Sequence, residues 1–298
     1  MSTGITSNIF RFFQPFINLV LYSNLWIALG ALCLTGQTLF LLEGTVDAQP
    51  LLPFVFSATL FLYAAHRLIG LFTFRFKVNN SRIQVIKAFK HHILIYALFS
   101  GLAAFVSFLF LKRETQWAVL IPALVSLAYI MPIFGDGKRL RDFSFIKIFL
   151  IAIAWPWITV VLPALEVGEE NYLVLGLMFA ERSLFIFAIT LPFDIRDIAT
   201  DQFNAVKTIP QQIGIHATKH MAFLLLVGAA IFVAINCYLG TYSAANGIAL
   251  YLSYLLTARL IHQADDKKND YYYSGLMDGT ILLQSLFLAV GERVVGWF

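Results

Sequence analysis

Residues 171–193 read NYLVLGLMFAERSLFIFAITLPF and are apolar along nearly their whole length. A helix needs about 20 mostly apolar residues to cross the hydrocarbon core of a bilayer, and this segment is long enough. The residues that follow, 194–201, change abruptly to the acidic stretch DIRDIATD. The sequence therefore predicts a membrane-spanning helix that ends in a group of carboxylates.

The composition of the whole chain agrees with a membrane protein. Of the 298 residues, 59% are hydrophobic, 15% are aromatic and only 13% are charged. A soluble domain has about 25% charged residues, so this chain has too few charges to solvate a surface of its own. These figures exclude a soluble globular protein, a disordered chain and a disulfide scaffold. The net charge of +4 fits basic cytoplasmic loops and does not call for a nucleic-acid partner.

Other segments share this length and continuous apolar character, which indicates helices rather than the alternating strands of a barrel. The nine candidate spans are residues 17–42, 51–74, 91–111, 116–134, 145–164, 171–193, 218–239, 244–263 and 276–297. Residues 5–15 are predicted to form an interfacial helix before the first span. The predicted fold is all-α: one integral-membrane domain over residues 1–298, built as a polytopic bundle of about nine transmembrane helices.

Basic residues alternate between the connections of these spans. The connections after the second, fourth, sixth and eighth spans are rich in lysine and arginine, whereas the others are acidic or uncharged apart from Lys112 and Arg113. The basic residues are Arg75, Lys77, Arg82, Lys87, Lys90, Lys138, Arg139, Arg141, Lys147, Arg196, Lys207, Lys219, Lys267 and Lys268. The positive-inside rule then predicts a cytoplasmic N-terminus and a multi-pass protein of a bacterial cytoplasmic membrane.

The acidic stretch is the strongest candidate for chemistry. Asp194, Asp197 and Asp201 are spaced i, i+3 and i+7, which places three carboxylates on one face of a helix. Like charges so close repel one another unless a cation offsets them, and Mg²⁺ is usually held by carboxylates, waters and a substrate phosphate. With Lys207 downstream, the pattern predicts a diphosphate bridged through Mg²⁺. The spacing alone fits a solvated helix end equally well.

This stretch also resembles a known motif. The pattern Asp194-x-x-Asp197-x-x-x-Asp201, followed by Lys207 and by Gly214, is similar to the second Asp-rich motif of the UbiA-type membrane prenyltransferase superfamily. The resemblance implies nine transmembrane helices and two acidic motifs, after helices two and six, that face the cytoplasm. It also implies Mg²⁺-dependent transfer of an isoprenyl group from an isoprenyl diphosphate to an aromatic or other lipophilic acceptor in the membrane.

The resemblance implies roles for individual residues. The three aspartates would be the catalytic acids and would bind Mg²⁺. The stretch after the fourth span, with Tyr129, Pro132 and residues 138–141, is similar to the family's Tyr-to-Lys connection, with a looser spacing. The residues implied to bind the diphosphate are His66, Arg67, Arg82, Lys138 and Lys207.

The first acidic motif of the family is degenerate here. Its place near the end of the second span, residues 61–70, reads FLYAAHRLIG, and no acid occurs between Asp47 and Glu114. His66 stands where a metal-binding acid is expected. Neutral imidazole is a poor Mg²⁺ ligand, but imidazolium or the guanidinium of Arg67 could contact a phosphate oxygen directly. The alternative is a histidine satisfied by hydrogen bonds within the bundle. The chain is thus identified as a divergent member of the superfamily.

Two other classes of function stay open at this point. A non-catalytic relative would keep the bundle and bind a lipid or a partner protein, which the loss of the first motif favours. A transporter would use ionisable residues at mid-membrane, such as Glu181 or Asp278. For the adjacent pair Glu181 and Arg182 we favour a structural role, with each charge paired inside the bundle.

Overall fold

The computed structural model describes residues 14, 16–47, 50–73, 89–131, 133–135, 139–140, 143–203 and 206–295. These residues fold almost entirely as helices. In chain order the helices are α1 (Leu25–Glu43), α2 (Leu51–Thr73), α3 (Lys90–Leu109), α4 (Arg113–Ile130), α5 (Ile146–Val167), α6 (Tyr172–Arg196), α7 (Ile198–Phe203), α8 (Ile209–Tyr238), α9 (Ala244–Gln263) and α10 (Tyr272–Met277, continuing as Asp278–Val295).

Eight helices in the described part of the chain are long and apolar enough to cross a membrane: α1, α2, α3, α5, α6, α8, α9 and α10. The predicted all-helical membrane bundle is therefore confirmed. The prediction of about nine spans differs from the structure at α4, which has 18 residues and a polar first turn over 113–116. That polar turn lowers the apolar character of the helix as a whole.

Two helix boundaries differ from the predicted ones for local reasons. The predicted span 17–42 divides into a helical segment over residues 16–22 and α1, because Asn24 adopts a left-handed conformation with φ 68°. α8 begins at Ile209 rather than at residue 218, because Pro210 suits the first turn of a helix and the chain continues through a kink at Gly214 (φ 82°). The predicted interfacial helix over residues 5–15 lies outside the described residues, apart from residue 14.

The spans form a closed bundle in which most chain neighbours pack against each other. α1 packs on α2, α2 on α3, α5 on α6, α6 on α8, α8 on α9 and α9 on α10, and α10 returns to pack on α1. Outward-facing side chains such as Phe99, Leu224 and Leu255 are about two-thirds exposed (70%, 67% and 67%). Such an apolar exterior suits lipid tails rather than water.

α5 and α6 are antiparallel neighbours, and this arrangement positions the acidic stretch. They are joined by a short turn at residues 168–171, where Gly168 has φ 85° and the Asn171 side chain accepts the backbone N–H of Val174 at 3.2 Å. The start of α5 therefore lies beside the end of α6. Which side of the membrane this end faces stays a prediction from the basic loops.

Candidate functional site

The acidic stretch lies where α6 gives way to α7. α6 ends at Arg196, and Asp197 interrupts the helix with φ −90° and ψ 4°. The backbone N–H of Asp197 still donates to the Phe193 carbonyl (3.0 Å), and the N–H of Asp201 donates to the Asp197 carbonyl (2.8 Å). Because the chain stays close to a helical path through this break, Asp194, Asp197 and Asp201 remain near one another.

Two of the three carboxylates converge on one cation, the ammonium of Lys147 in the first turn of α5. Lys147 Nζ lies 2.7 Å from Asp194 Oδ1 and 3.9 Å from Asp201 Oδ2, and it also interacts electrostatically with Asp197. Asp194 is only 3% exposed. A carboxylate buried this deeply needs a compensating charge, and Lys147 supplies it.

The third carboxylate, Asp197, faces a different cation. Arg196 Nε and Nη2 donate to the two oxygens of Asp197 at 2.8 Å and 3.0 Å, and Nη1 donates to Asp270 Oδ1 at 3.0 Å. The guanidinium carbon lies 5.1 Å from the ring centre of Phe193 and 5.5 Å from that of Tyr273. Arg196 thus fixes Asp197 to the start of α10, and the three acids split into a pair and a single residue.

Lys207 lies next to the start of α5. The backbone N–H of Phe145 donates to the Lys207 carbonyl (3.3 Å), and the N–H of Lys207 donates to Ser144 Oγ (3.3 Å). The side chain of Lys207 is exposed. These contacts bring the backbone of Lys207 to the residues that precede Lys147.

The α2 side chains that replace the first acidic motif border the same region. Tyr63 of α2 interacts electrostatically with Arg67, with Tyr129 of α4 and with Asp278 of α10. Asp278 in turn interacts electrostatically with Arg196. The His66 ring meets the Tyr129 ring edge-on, with centroids 5.9 Å apart. Asp278 therefore acts electrostatically on groups of both α2 and α6.

The structure places the predicted site residues as follows. It brings Asp194 and Asp201 together on Lys147 and pairs Asp197 with Arg196. The backbone of Lys207 lies against residues 144 and 145, just before Lys147. His66 and Arg67 are half-buried on α2. Arg82 and Lys138 lie outside the described residues.

From the sequence alone Lys147 is either a positive-inside charge or a ligand of the diphosphate, and Asp270 and Tyr273 are not predicted at all. No spacing rule links these residues to the acidic motif, because they lie on other helices or connections.

Solved structures share this architecture. A UbiA homolog from Archaeoglobus fulgidus bound to GPP and Mg²⁺ is similar over 94% of this chain and 99% of its own, with a TM-score of 0.67 and 12% identity. An apo UbiA homolog from Aeropyrum pernix K1 has a TM-score of 0.55 and 13% identity, and the similarity covers 93% of this chain and 98% of the homolog. A digeranylgeranylglyceryl phosphate synthase has a TM-score of 0.57 and 15% identity, and the similarity covers 89% of this chain and 92% of the synthase. Because the sequence identities are only 12–15%, these structural similarities establish the fold alone.

Membership of a family rests on the sequence. The family model for the UbiA prenyltransferase family matches residues 87–282, which is more than half of the chain. The chain belongs to the UbiA prenyltransferase family. No curated protein sequence matches it. The UbiA match begins after the α2 segment, so it does not include the degenerate first motif.

The carboxylates of this UbiA protein fit Mg²⁺ by their donor chemistry. Asp194 and Asp201 already direct oxygens at one cation, Lys147, and carboxylate oxygen is the ligand that Mg²⁺ prefers. Within the described residues, no three His, Cys, Asp or Glu side chains gather around a single point. A site of two carboxylates is still sufficient for Mg²⁺, because waters and substrate phosphate commonly supply the remaining ligands.

A second buried polar cluster, around Glu181 and Arg182 of α6, has structural partners. Both residues are fully buried (0% exposed). Glu181 accepts hydrogen bonds from the Tyr242 hydroxyl (2.9 Å) and the Tyr254 hydroxyl, while Arg182 Nη1 donates to the Leu34 carbonyl (3.3 Å). Each charge is therefore held by other elements of the UbiA bundle, as the structural interpretation predicts. This reduces the support for a transporter that works through Glu181.

Proposed function

We propose that this UbiA family protein transfers an isoprenyl group from an isoprenyl diphosphate to an aromatic or other lipophilic acceptor in the membrane. The observation that carries the proposal is the convergence of Asp194 and Asp201 on a single cation. A carboxylate pair at the end of a membrane-spanning helix is suited to hold a metal-bound diphosphate. A homolog with the same fold that binds GPP and Mg²⁺ supports it.

In this proposal the carboxylates of Asp194 and Asp201 bind Mg²⁺, and the Lys207 ammonium contacts the diphosphate directly. Asp197 lies close enough to Asp194 and Asp201 for its negative charge to add to theirs at the Mg²⁺ site. Arg67 and His66 approach the diphosphate from α2, and Arg82 and Lys138 would add positive charge from their connections. Bound Mg²⁺ would neutralise the charge that develops on the leaving group.

The reaction breaks the bond between C1 of the isoprenyl chain and the diphosphate oxygen, and the electron pair leaves with the diphosphate. A carbon or oxygen of the acceptor forms the new bond to C1. The acceptor then loses one proton, which the released diphosphate or water accepts. Aromatic side chains can stabilise the allylic cation by cation–π attraction. With the cytoplasmic orientation that the basic loops predict, the diphosphate would bind on the cytoplasmic side.

Removal of the metal gives the direct test. The full-length protein in detergent is titrated with GPP by calorimetry, once with Mg²⁺ and once with EDTA. We expect EDTA to weaken GPP binding by about tenfold or more, because the carboxylate pair then repels the diphosphate. Geraniol, which has the chain without the diphosphate, is the control ligand and should be insensitive to Mg²⁺. Equal GPP affinity under both conditions would contradict the proposal.

The role of His66 is a separate prediction. If a positively charged histidine beside Arg67 contacts the diphosphate, GPP affinity should rise as the pH falls from about 8 to about 6, across the ordinary histidine pKa. His66→Gln corrects for protonation of phosphate and carboxylates. His66→Asp should bind GPP more weakly without Mg²⁺ but gain more when Mg²⁺ is added, because a carboxylate repels phosphate and attracts the bridging cation. Identical pH and Mg²⁺ dependence in all three proteins would remove His66 from the site.

A non-catalytic relative is the second candidate, and the absence of any acid between Asp47 and Glu114 favours it. Such a protein would bind an isoprenyl diphosphate or another lipid without cleaving it. The two candidates differ in one measurement. An enzyme releases diphosphate from GPP when a suitable acceptor is supplied, whereas a binding protein returns GPP intact.

A further inference from the structure

The guanidinium of Arg196, inside the acidic stretch, donates to two carboxylates from different parts of the chain. Nε and Nη2 donate to the two oxygens of Asp197 at 2.8 Å and 3.0 Å, and Nη1 donates to Asp270 Oδ1 at 3.0 Å. Paired hydrogen bonds between a planar guanidinium and a planar carboxylate fix the relative orientation of the two groups. Arg196 and Asp197 are chain neighbours, so their pair alone would move with the end of α6. Asp270, 74 residues further along the chain, ties the pair to another part of the bundle.

Two aromatic rings hold the plane of the same guanidinium. Its central carbon lies 5.1 Å from the ring centre of Phe193 and 5.5 Å from that of Tyr273, and the two ring centres are 5.8 Å apart. The Arg196 side chain is only 16% exposed. Cation–π attraction is stronger when the cation is shielded from water, so these contacts add to the hydrogen bonds. Arg196 is therefore held both from α6 and from the start of α10.

Hydrogen bonds also organise the connection that carries Asp270, between α9 and α10. The backbone N–H of Asp265 donates to the Tyr273 hydroxyl (3.1 Å), which donates in turn to the Asp265 carbonyl (2.5 Å). The side chain of Asn269 accepts the backbone N–H of Tyr272 at 3.1 Å. Asp270 thus lies between two anchored points, and its carboxylate reaches Arg196 from a connection that the bundle holds in place.

The contacts of Arg196 separate Asp197 from the other two acids of the stretch. Both oxygens of Asp197 accept hydrogen bonds from Arg196. Asp194 and Asp201 instead form ion pairs with Lys147, at 2.7 Å and 3.9 Å. The third carboxylate therefore has a place of its own beside the other two, and that place is set by Arg196 and by the residues that hold Arg196.

We infer that Asp270 is a positioning residue of the proposed diphosphate site, and that it acts through Arg196 on the carboxylate of Asp197. The inference rests on the proposed function. Held in this way, Asp197 adds its negative charge at one fixed place beside the carboxylate pair, where it favours the binding of Mg²⁺. Without Asp270 the guanidinium loses one of its two carboxylate partners, and Asp197 loses its fixed place with it.

The affinity of the full-length protein for GPP in Mg²⁺ is the measurement. We expect Asp270→Ala to weaken GPP binding by about tenfold, a loss typical when a residue that supports the groups of a metal site is removed. Asp270→Asn keeps an acceptor oxygen for Arg196 Nη1 and should recover part of the affinity. The decisive readout is the combination with Asp197→Asn. In that background the carboxylate to be positioned is already gone, so Asp270→Ala should cause less than about a twofold further loss.

Asp266→Ala is the matched control, because Asp266 is an exposed acid of the same connection, and GPP affinity should stay unchanged. If the pair of Asp270 and Arg196 were only structural, Asp270→Ala would lower the melting temperature and leave GPP affinity as it was, which would overturn the inference. Losses that multiply in the combined variant would overturn it too, as would wild-type affinity in Asp197→Asn. The proposed function stands in each of these cases if the wild type binds GPP with Mg²⁺. A wild type without Mg²⁺-dependent binding would overturn both.

Discussion

Replacing both Asp194 and Asp201 with asparagine is expected to weaken Mg²⁺-dependent binding of GPP by about 100-fold, the upper end of losses typical near metal sites. The two side chains converge on the single ammonium of Lys147, so each single substitution removes one of two negative charges around the same point. Each single substitution should therefore reduce the affinity for GPP less than the double substitution does. The measurement is calorimetric titration of GPP at fixed Mg²⁺ with full-length protein.

Asparagine has nearly the shape of aspartate and leaves Lys147 an amide oxygen as acceptor, and the melting temperature of each variant in detergent shows whether the fold survives. Asp265→Asn is the control, since Asp265 is exposed in the connection before α10. Its carboxyl pKa is lowered by a hydrogen bond with Asp266 and by the backbone N–H of Lys267, so it is an ordinary ionised surface acid. GPP affinity that is the same in the double variant and in Asp265→Asn would show that the acidic stretch is only a solvated helix end.

Replacing Arg182 with methionine is expected to lower the free energy of unfolding by about 1–3 kcal/mol, the usual cost of leaving a buried polar group without its hydrogen-bond partner. Arg182 and the adjacent Glu181 are fully buried, and both act electrostatically on Tyr242. Without the guanidinium, Glu181 would keep its two tyrosine donors but would lose the positive charge at the adjacent position. Arg182 Nη1 would also no longer donate to the Leu34 carbonyl and to Thr159 Oγ1 (3.4 Å).

Thermal unfolding in detergent gives the measurement, and two further variants make it specific. Arg259→Met removes an exposed arginine of α9 and should change the melting temperature little. The double variant Glu181→Gln/Arg182→Met removes both charges and should be more stable than Arg182→Met alone. If Arg182→Met were as stable as the wild type, the pair would not be structural, and a transport role for Glu181 would regain support.

Together these features describe a site whose acidic side chains are each paired with a cation of the protein itself. Lys147 forms ion pairs with Asp194 and Asp201, and Arg196 forms ion pairs with Asp197 and Asp270.

The sequence by itself determined the membrane-spanning helices and the acidic motif at the end of α6. Both are local properties: hydropathy depends on consecutive residues, and the i, i+3, i+7 spacing depends on one helix. It also located the degenerate first motif, since the absence of acids from α2 is visible without a structure. The bounds of α4 differ from the predicted span 116–134, because a polar first turn over 113–116 belongs to the helix and a hydropathy run does not include it.

Only the tertiary structure decided which charges meet. Lys147 pairs with Asp194, Arg196 with Asp270, and Glu181 with Tyr242, and each pair joins elements that are distant along the chain. A long-range ion pair depends on helix packing and on which face each helix turns inward. Neither is encoded by local spacing, and so the composition of the site emerges only when the helices pack.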